Sequence, residues 1–358
     1  MTSFIVIGGG IAGVSAAARL SEHAQVVVLE QEDALAYHAS GRSAAMFEEN
    51  YGAPSTLALN RASAEYHHTN NGGYLTPRGL LLIAGEQDLA QFNADIDTLH
   101  LARISIDEAR DMVPILNPKT VTLAARHDAA LDLDTDRMVQ DFARVVRANG
   151  GQILTRKPVS AIQRTDTGWR VDASGDVFEA DMLINAAGPW ADVVADLAGI
   201  RPIGITPLRR SMARLPAPGG HDLRHWPMLM GVGETWYAKP DAGKLLVSPA
   251  EEDLVPPHDA YADDMVLAEG LARYEQMVTE PVTRVETNWA GLRSFAPDRA
   301  LVLGPDPDNS GFVWCAGQGG YGFQTAPAGS QLVADLALGR PTSLPADVIS
   351  MLSPRRFR

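Results

Sequence analysis

The chain has 358 residues, 46% of them hydrophobic and 21% charged, with a formal net charge of −14. That length accommodates about two domains with a well-buried core, and the composition excludes disordered and fibrous classes. The acidic excess, without any basic block, argues against nucleic acid or an anionic membrane surface as partner, and the lone cysteine, Cys315, excludes internal disulfides, cysteine-built zinc sites and iron–sulfur clusters.

The first elements carry the strongest pattern. Phe4 to Ile7 is an apolar, β-branched run predicted as a strand, and it stops at Gly8, Gly10 and Gly13, the G-x-G-x-x-G spacing. Gly8 permits a tight turn, Gly10 removes the Cβ that would bar a pyrophosphate, and Gly13 lets the following helix pack closely on the strand. Ile11 and Ala12 open that helix, whose free N–H groups and positive end suit phosphate oxygens. A second strand, Val26 to Leu29, ends at Glu30 and Gln31. Glu30 lies 22 residues after Gly8, the spacing of an acid that accepts hydrogen bonds from a ribose and repels a 2′-phosphate. Strand, helix, strand and acid in register predict dinucleotide binding.

Tyr37 to Gly52 is small, polar and too irregular for a strand. Pro54 to His67 reads as a helix, Gly79 to Ala84 as a short strand, and the region near Glu86 to Leu99 as a helix. Asp134 begins a helix running to Asn149, with Thr135 and Asp136 as N-terminal acceptors and Gly150 as its stop. Gln152 to Leu154, Val159 to Gln163 and Trp169 to Asp172 read as a meander. Phe178 to Ile184 reads as one further strand, running into N-A-A-G-P-W-A-D. From Ile203 to about Pro281 longer strands with hairpin signals dominate, clearest at Tyr237 to Gly243. Leu301 to Leu303 and Phe312 to Ala316 are strands again. A second glycine-rich turn, Gly317 to Gly322, then opens an amphipathic helix to about Leu338. No stretch approaches the ~18 uninterrupted apolar residues of a spanning helix, and Phe4 to Leu20 lacks the basic leader of a signal peptide. The expected setting is cytoplasmic, either free or peripheral to the inner face of a membrane. The fold expected is α/β: a discontinuous Rossmann-like domain of residues 1–78, 134–200 and 286–358, with an antiparallel, β-rich substrate domain of residues 79–133 and 201–285 inserted.

Four separated segments carry a family resemblance: the N-terminal fingerprint, H-A-S-G-R-S-A-A, N-A-A-G-P-W, and W-A-G-L-R-S-F followed by A-G-Q-G-G-Y-G-F-Q-T. In this order the chain resembles flavin amine oxidoreductases of the D-amino acid oxidase, glycine oxidase and sarcosine oxidase type. R-P-I-G-I-T-P-L-R-R-S, Y-A-K-P-D-A-G and M-L-S-P-R-R extend the likeness, toward D-arginine dehydrogenases, over nearly the whole chain. The resemblance implies an FAD-dependent enzyme of amino acid catabolism. It would take a hydride from the α-carbon of a D-amino acid to flavin N5, leaving an imino acid that hydrolyses to a 2-oxo acid and ammonia. A glycine- or sarcosine-type amine oxidase making hydrogen peroxide, and a 2-hydroxy acid dehydrogenase, are the alternatives.

The residues agree with FAD over NAD, because the late turn of Gly317, Gly319, Gly320, Tyr321, Gly322, Phe323 and Gln324 opens a helix whose dipole suits the electron-rich edge of a reduced flavin. By resemblance, Ser40, Gly41, Arg42, Ser43 and Ala44 line pyrophosphate and isoalloxazine, Val159 faces adenine, and Ala187, Gly188 and Trp190 flank the adenosine half. Arg42 adds a cationic donor for anionic oxygens. Cys315, within the apolar V-W-C-A, reads as a buried small hydrophobe, so the flavin is expected to be non-covalent.

For substrate, Arg293 matches the arginine that pairs bidentately with the α-carboxylate, and its neighbours Trp289, Leu292 and Phe295 argue for burial. Arg210, Tyr51 and Tyr237 match further substrate contacts, while Gly320 and Gln324 match acceptors of the amino group. Two positions depart from the D-arginine dehydrogenase pattern: Leu80 stands where an acid binds the cationic tail, and Met46 stands for a histidine. Either the preferred side chain is apolar or neutral, or Glu48 or Glu49 supplies the counter-charge. The strand Leu245-Leu246-Val247 carries no lysine of the kind that sarcosine oxidases hold against the flavin. That points to a quinone or another carrier as acceptor rather than O₂. No metal site and no nucleic acid partner are expected.

Overall fold

The alternation of short apolar strands with helices at the N-terminus builds a parallel sheet, as the fingerprint requires. A computed structural model describes residues 2–358. Its six-stranded sheet runs Val302–Pro305, Phe312–Ala316, Met182–Asn185, Ser3–Ile7, Gln25–Leu29, Gln152–Leu154, parallel throughout except for the first strand. One face packs on the helices Ile11–Ser21, Thr135–Ala148 and Gly322–Ala337 through a core that includes Val14, Phe142 and Val333. The other carries the meander Val159–Arg164, Trp169–Ala173, Asp176–Ala180 and the helix Ala191–Leu197, around Trp169 and Trp314.

A nine-stranded sheet stands beside it. Its order is Asp253–Leu254, Thr206–Leu215, Lys244–Ser248, Tyr237–Asp241, Met228–Gly231, Leu80–Ala84, Leu123–His127, Ala102–Ile104, with Thr287–Phe295 also paired to Thr206–Leu215. The helices Asp264–Gln276 and Ile106–Met112 contribute Leu267, Tyr274 and Ala109 to one core, with Trp226 and Trp236; Phe92 and Leu99 of Leu89–Leu99 pack on the other face. The hairpin at Tyr237–Ser248 turns at Ala242 and Gly243, both at positive φ (46° and 75°), as a two-residue primed turn requires. Met46–Phe47, Leu131–Leu133 and Leu75–Pro77 form a further small sheet, whose Phe47 and Leu133 join the core with Val14 while Met46 packs on the one with Phe92.

Several expectations need correction. Gln152–Leu154 belongs to the parallel sheet and not to the meander. The single strand expected at Phe178 to Ile184 is two strands in different sheets, because Asp181 breaks the run and its carboxylate is taken by Ser3. Asp134, not Thr135 or Asp136, caps its helix, accepting from the Arg137 N–H. Thr287–Phe295 lies in the nine-stranded sheet, whereas residues 286–358 are expected in the nucleotide domain. The helix Asp264–Gln276 and the strands between residues 100 and 133 were not foreseen. No helix among the described residues is long and apolar enough to cross a membrane, and none of their His, Cys, Asp and Glu side chains form a metal-binding cluster.

Candidate functional site

Three adjoining cavities run between the sheets. The first is lined by Glu30, Gln31, Val159, Ala187, Trp190 and the turn Gly8 to Gly10. It shares Gly10, Ser40 and Gly188 with a second, which passes Ile11, Ala12, Arg42, Ser43, Ala44 and Met212 to reach Gly319, Gly320, Gly322 and Phe323. That one shares Ala44, Met46, Tyr237, Arg293, Gly320 and Gln324 with a third, which continues to Glu48, Tyr51, Leu80 and Met230. The result is a long cleft with an acid at one end and a pair of arginines at the other.

The glycines set its shape. A Cβ at Gly8 would collide with the Ala186 carbonyl, and one at Gly13 with the Gly8 carbonyl, so the first helix can close on the strand only with glycine at both. At the far end a Cβ on Gly320 would lie 3.0 Å from the Arg293 guanidinium carbon, so the bare backbone is what Arg293 rests against. Glu30, 7% exposed, accepts the Gly9 N–H at 2.6 Å and the Glu32 N–H at 2.9 Å, which fixes its carboxylate beside the turn. The Ile11 N–H, first in its helix, donates to Ser40 Oγ at 3.0 Å. An acid for a ribose, an open turn with helix N–H groups and a second glycine turn at a helix start fit FAD along its length.

Some expected cofactor residues do other work. The Arg42 guanidinium donates to the carbonyls of Ala260 and Ala290 and to Asp259 at 2.5 Å, tying the loop before the third cavity to the large sheet. It is therefore no free donor to phosphate, and only the residue's place along the cleft stands as expected. Gly41, Gly317 and Tyr321 do not line the cleft. Gly41 lets its turn pass the Ala36 carbonyl, Gly317 takes φ 73° after the last strand, and the Tyr321 ring packs 5.3 Å from that of Tyr51. Cys315 is 3% exposed, and burial pushes its thiol up to about 12, which removes the thiolate that covalent attachment needs.

The long strands Thr206–Leu215 and Thr287–Phe295 pair so that Arg210 stands opposite Gly291 and Leu208 opposite Arg293, bringing both arginines to one end of the cleft. A residue missed in the sequence joins them. Glu234, at φ 54° in the turn Val232–Glu234, accepts from the Tyr51 hydroxyl at 2.9 and 3.0 Å, and its carboxylate lies 3.2 Å from Arg210 and 3.7 Å from Arg293. Burial, and then the Glu234 charge, pushes the Tyr51 hydroxyl up, so it stays a protonated donor. Burial opposes the charge on Arg293, but its pKa is raised, and the Glu234 carboxylate beside it favours the charged form. Arg210 is further held by the Glu251 carbonyl at 2.9 Å and Glu252 at 3.4 Å.

Gln324 was expected to face a substrate amine. Its amide instead accepts the Glu48 N–H at 3.2 Å and donates to the Tyr51 carbonyl at 3.4 Å, stapling the loop that carries both. The buried His67 donates to the Gln324 carbonyl at 2.9 Å from behind, and burial lowers its pKa to about 4. Glu49 leaves the site, since it is half-exposed and pairs with Arg61. A lysine does stand in the hairpin, on the strand beside Leu245-Leu246-Val247: Lys239, opposite Leu246, is buried against Asp132 at 2.9 Å and does not line the cleft.

The comparisons agree with this geometry. Residues 3–336 match the model of the family described as FAD dependent oxidoreductase (DAO). The chain is 23% identical to FAD-dependent oxidoreductase domain-containing protein 1 of Bos taurus over 93% of its own length and 80% of the relative's. Among solved structures it is similar to glycine oxidase from Geobacillus kaustophilus (TM-score 0.82, 19% identity, 99% of this chain and 98% of that one). It is equally similar to L-proline dehydrogenase from P. horikoshii (TM-score 0.82, 21% identity, 99% and 97%). The chain belongs to the FAD-dependent oxidoreductases of the DAO family.

Proposed function

We propose that this enzyme oxidises the α-carbon of a free D-amino acid. The observation that carries the reading is the Glu234 carboxylate, gathered by Tyr51, Arg210 and Arg293 where the cofactor cleft meets the third cavity. A site that collects one carboxylate on those groups has the donors to hold another, namely that of a substrate. The D configuration rests on the motif resemblance.

FAD, when bound, supplies the acceptor for the hydride that leaves the substrate α-carbon. The protein's part is to bind and orient. Arg293 and Arg210 neutralise the substrate carboxylate, while the Tyr51 hydroxyl donates to it and Tyr237 lines the same wall. Held there, the molecule presents its α-carbon to the cofactor cleft, and that positioning is where rate is gained. The α-amine must enter neutral so that its lone pair assists hydride departure. Tyr51, with its pKa raised, is no base, so that proton goes to solvent. The imino acid then leaves and hydrolyses in water to the 2-oxo acid and ammonia. Anaerobic bleaching of the flavin by a panel of D- and L-amino acids, glycine, sarcosine and 2-hydroxy acids tests this. D-amino acids should bleach fastest. Faster bleaching by a 2-hydroxy acid, or by sarcosine with peroxide formed in air, would overturn it.

A further inference from the structure

A proline interrupts the helix whose start closes the cofactor end of the substrate cavity. Pro327 lies inside Gly322–Ala337. It has no N–H, so the Phe323 carbonyl loses the partner it would have four residues on, and the proline ring crowds that carbonyl. The first turn, Gly322 to Gln324, is therefore held by its own helix through fewer bonds. That turn lines the cofactor cleft, and Gln324 reaches the third cavity as well. Its N–H groups, free as in every helix start, keep their aim only if something else fixes the turn.

The neighbouring helix Pro54–Thr69 packs against it and carries an unusual face. Thr56, Asn60, Ser63 and His67 follow one another at helical spacing and are fully buried, where an apolar stripe would be expected. Buried polar groups need partners, and three of these four find them at the site. His67 Nε2 donates to the Gln324 carbonyl at 2.9 Å, and Ser63 Oγ accepts the Ala328 N–H at 3.1 Å, so one bond falls on each side of Pro327. A carbonyl only accepts, so Nε2 carries the His67 proton. The ring itself packs on Phe47, with centroids 5.0 Å apart. Asn60 Nδ2 donates to the Glu49 and Tyr51 carbonyls at 3.2 and 3.3 Å, holding the loop that the Gln324 amide also staples. None of these side chains lines the cleft, so their effect on it passes through the turn and the loop.

We infer that His67 is a positioning residue for the flavin: from the neighbouring helix it supplies the support that Pro327 takes away, and so fixes the turn Gly322 to Gln324 toward the cofactor cleft. Ser63 assists from the other side of the proline. An apolar ring at position 67 would pack on Phe47 equally well, but it would leave the buried Gln324 carbonyl without this donor. The role concerns the cofactor and holds whatever the substrate is.

The test is a double-mutant cycle between His67→Phe and Pro327→Ala. Its readouts are the Kd for FAD and the midpoint potential of the bound flavin, neither of which needs a substrate. His67→Phe should raise the Kd about five- to tenfold, the size of one buried hydrogen bond left unmade. It should also lower the potential, because N–H groups that lose their aim stabilise the charge of the reduced flavin less. His67→Gln, which keeps a donor, should recover most of both effects. Pro327→Ala returns an N–H to the helix, so in that background His67→Phe should cost only about twofold in Kd. A His67→Phe protein that melts lower yet keeps the native Kd and potential would reduce His67 to a packing residue and overturn the inference. An effect of full size in the Pro327→Ala background would overturn it too. Should His67→Phe fail to load flavin, the double variant decides: flavin regained with Pro327→Ala supports the inference, and none regained overturns it.

Discussion

Removing the Glu234 carboxylate should tighten substrate binding, although acidic residues near an active site are usually mutated to lose function. Glu234 lies within 3.7 Å of Tyr51, Arg210 and Arg293, the groups assigned to the substrate carboxylate, so the two carboxylates compete. Its hydrogen bond from Tyr51 is charge-assisted, a type worth about 1.5–3 kcal/mol when well desolvated. The Glu234 side chain is 33% exposed, and solvent screening reduces that to about 1–1.5 kcal/mol. Glu234→Ala should therefore lower KM about five- to tenfold by the usual conversion of free energy to affinity. The same position keeps its left-handed φ, so Ala introduces no strain that Glu lacked. Steady-state kinetics with the best D-amino acid, together with the Kd of a simple carboxylate read from the flavin spectrum, measure this. A KM that rises in Glu234→Ala would refute competition and make Glu234 part of the substrate site.

Three further outcomes follow from the geometry. Arg293→Lys should lose about 100-fold or more in kcat/KM at intact flavin content, since a point charge cannot replace the planar fork; equal kcat/KM would remove Arg293 from the clamp. His67 is buried with a pKa of about 4 against 6.5 unfolded, so the unfolded chain binds more protons between those values. Stability should fall by about 3 kcal/mol as pH drops from 6.5 to 4 and level off below, and His67→Gln should lack that component in pH-dependent melts. Acid precipitation should release all flavin to the supernatant, and iodoacetamide should leave native Cys315 unmodified, because its thiol is buried and its pKa is near 12.

The cofactor end was legible because phosphate binding imposes a local pattern: Gly8, Gly10, Gly13 and Glu30 all act within one strand–helix–strand unit. Arg293 was legible through its apolar neighbours and the motif around it. Glu234 was not, since G-V-G-E-T reads as a surface turn, and only the pairing of two long strands brings Arg210 and Arg293 beneath it. His127 sits on a strand that showed no alternation, and only the fold sets its ring 3.0 Å from Glu48, 79 residues earlier in the chain. Arg42 misled for the opposite reason. The local motif suggested a phosphate donor, whereas tertiary contacts with Asp259, Ala260 and Ala290 use up its guanidinium.

The central claim is that the clamped molecule is a D-amino acid that loses its α-hydrogen to the flavin. Stopped-flow bleaching of the anaerobic holoenzyme by a D-amino acid carrying hydrogen or deuterium at the α-carbon tests it directly. The account predicts that deuterium slows bleaching several-fold and that the L enantiomer bleaches negligibly. Bleaching by both enantiomers, or an equal rate for the two isotopes with the bleaching step itself resolved, would contradict it.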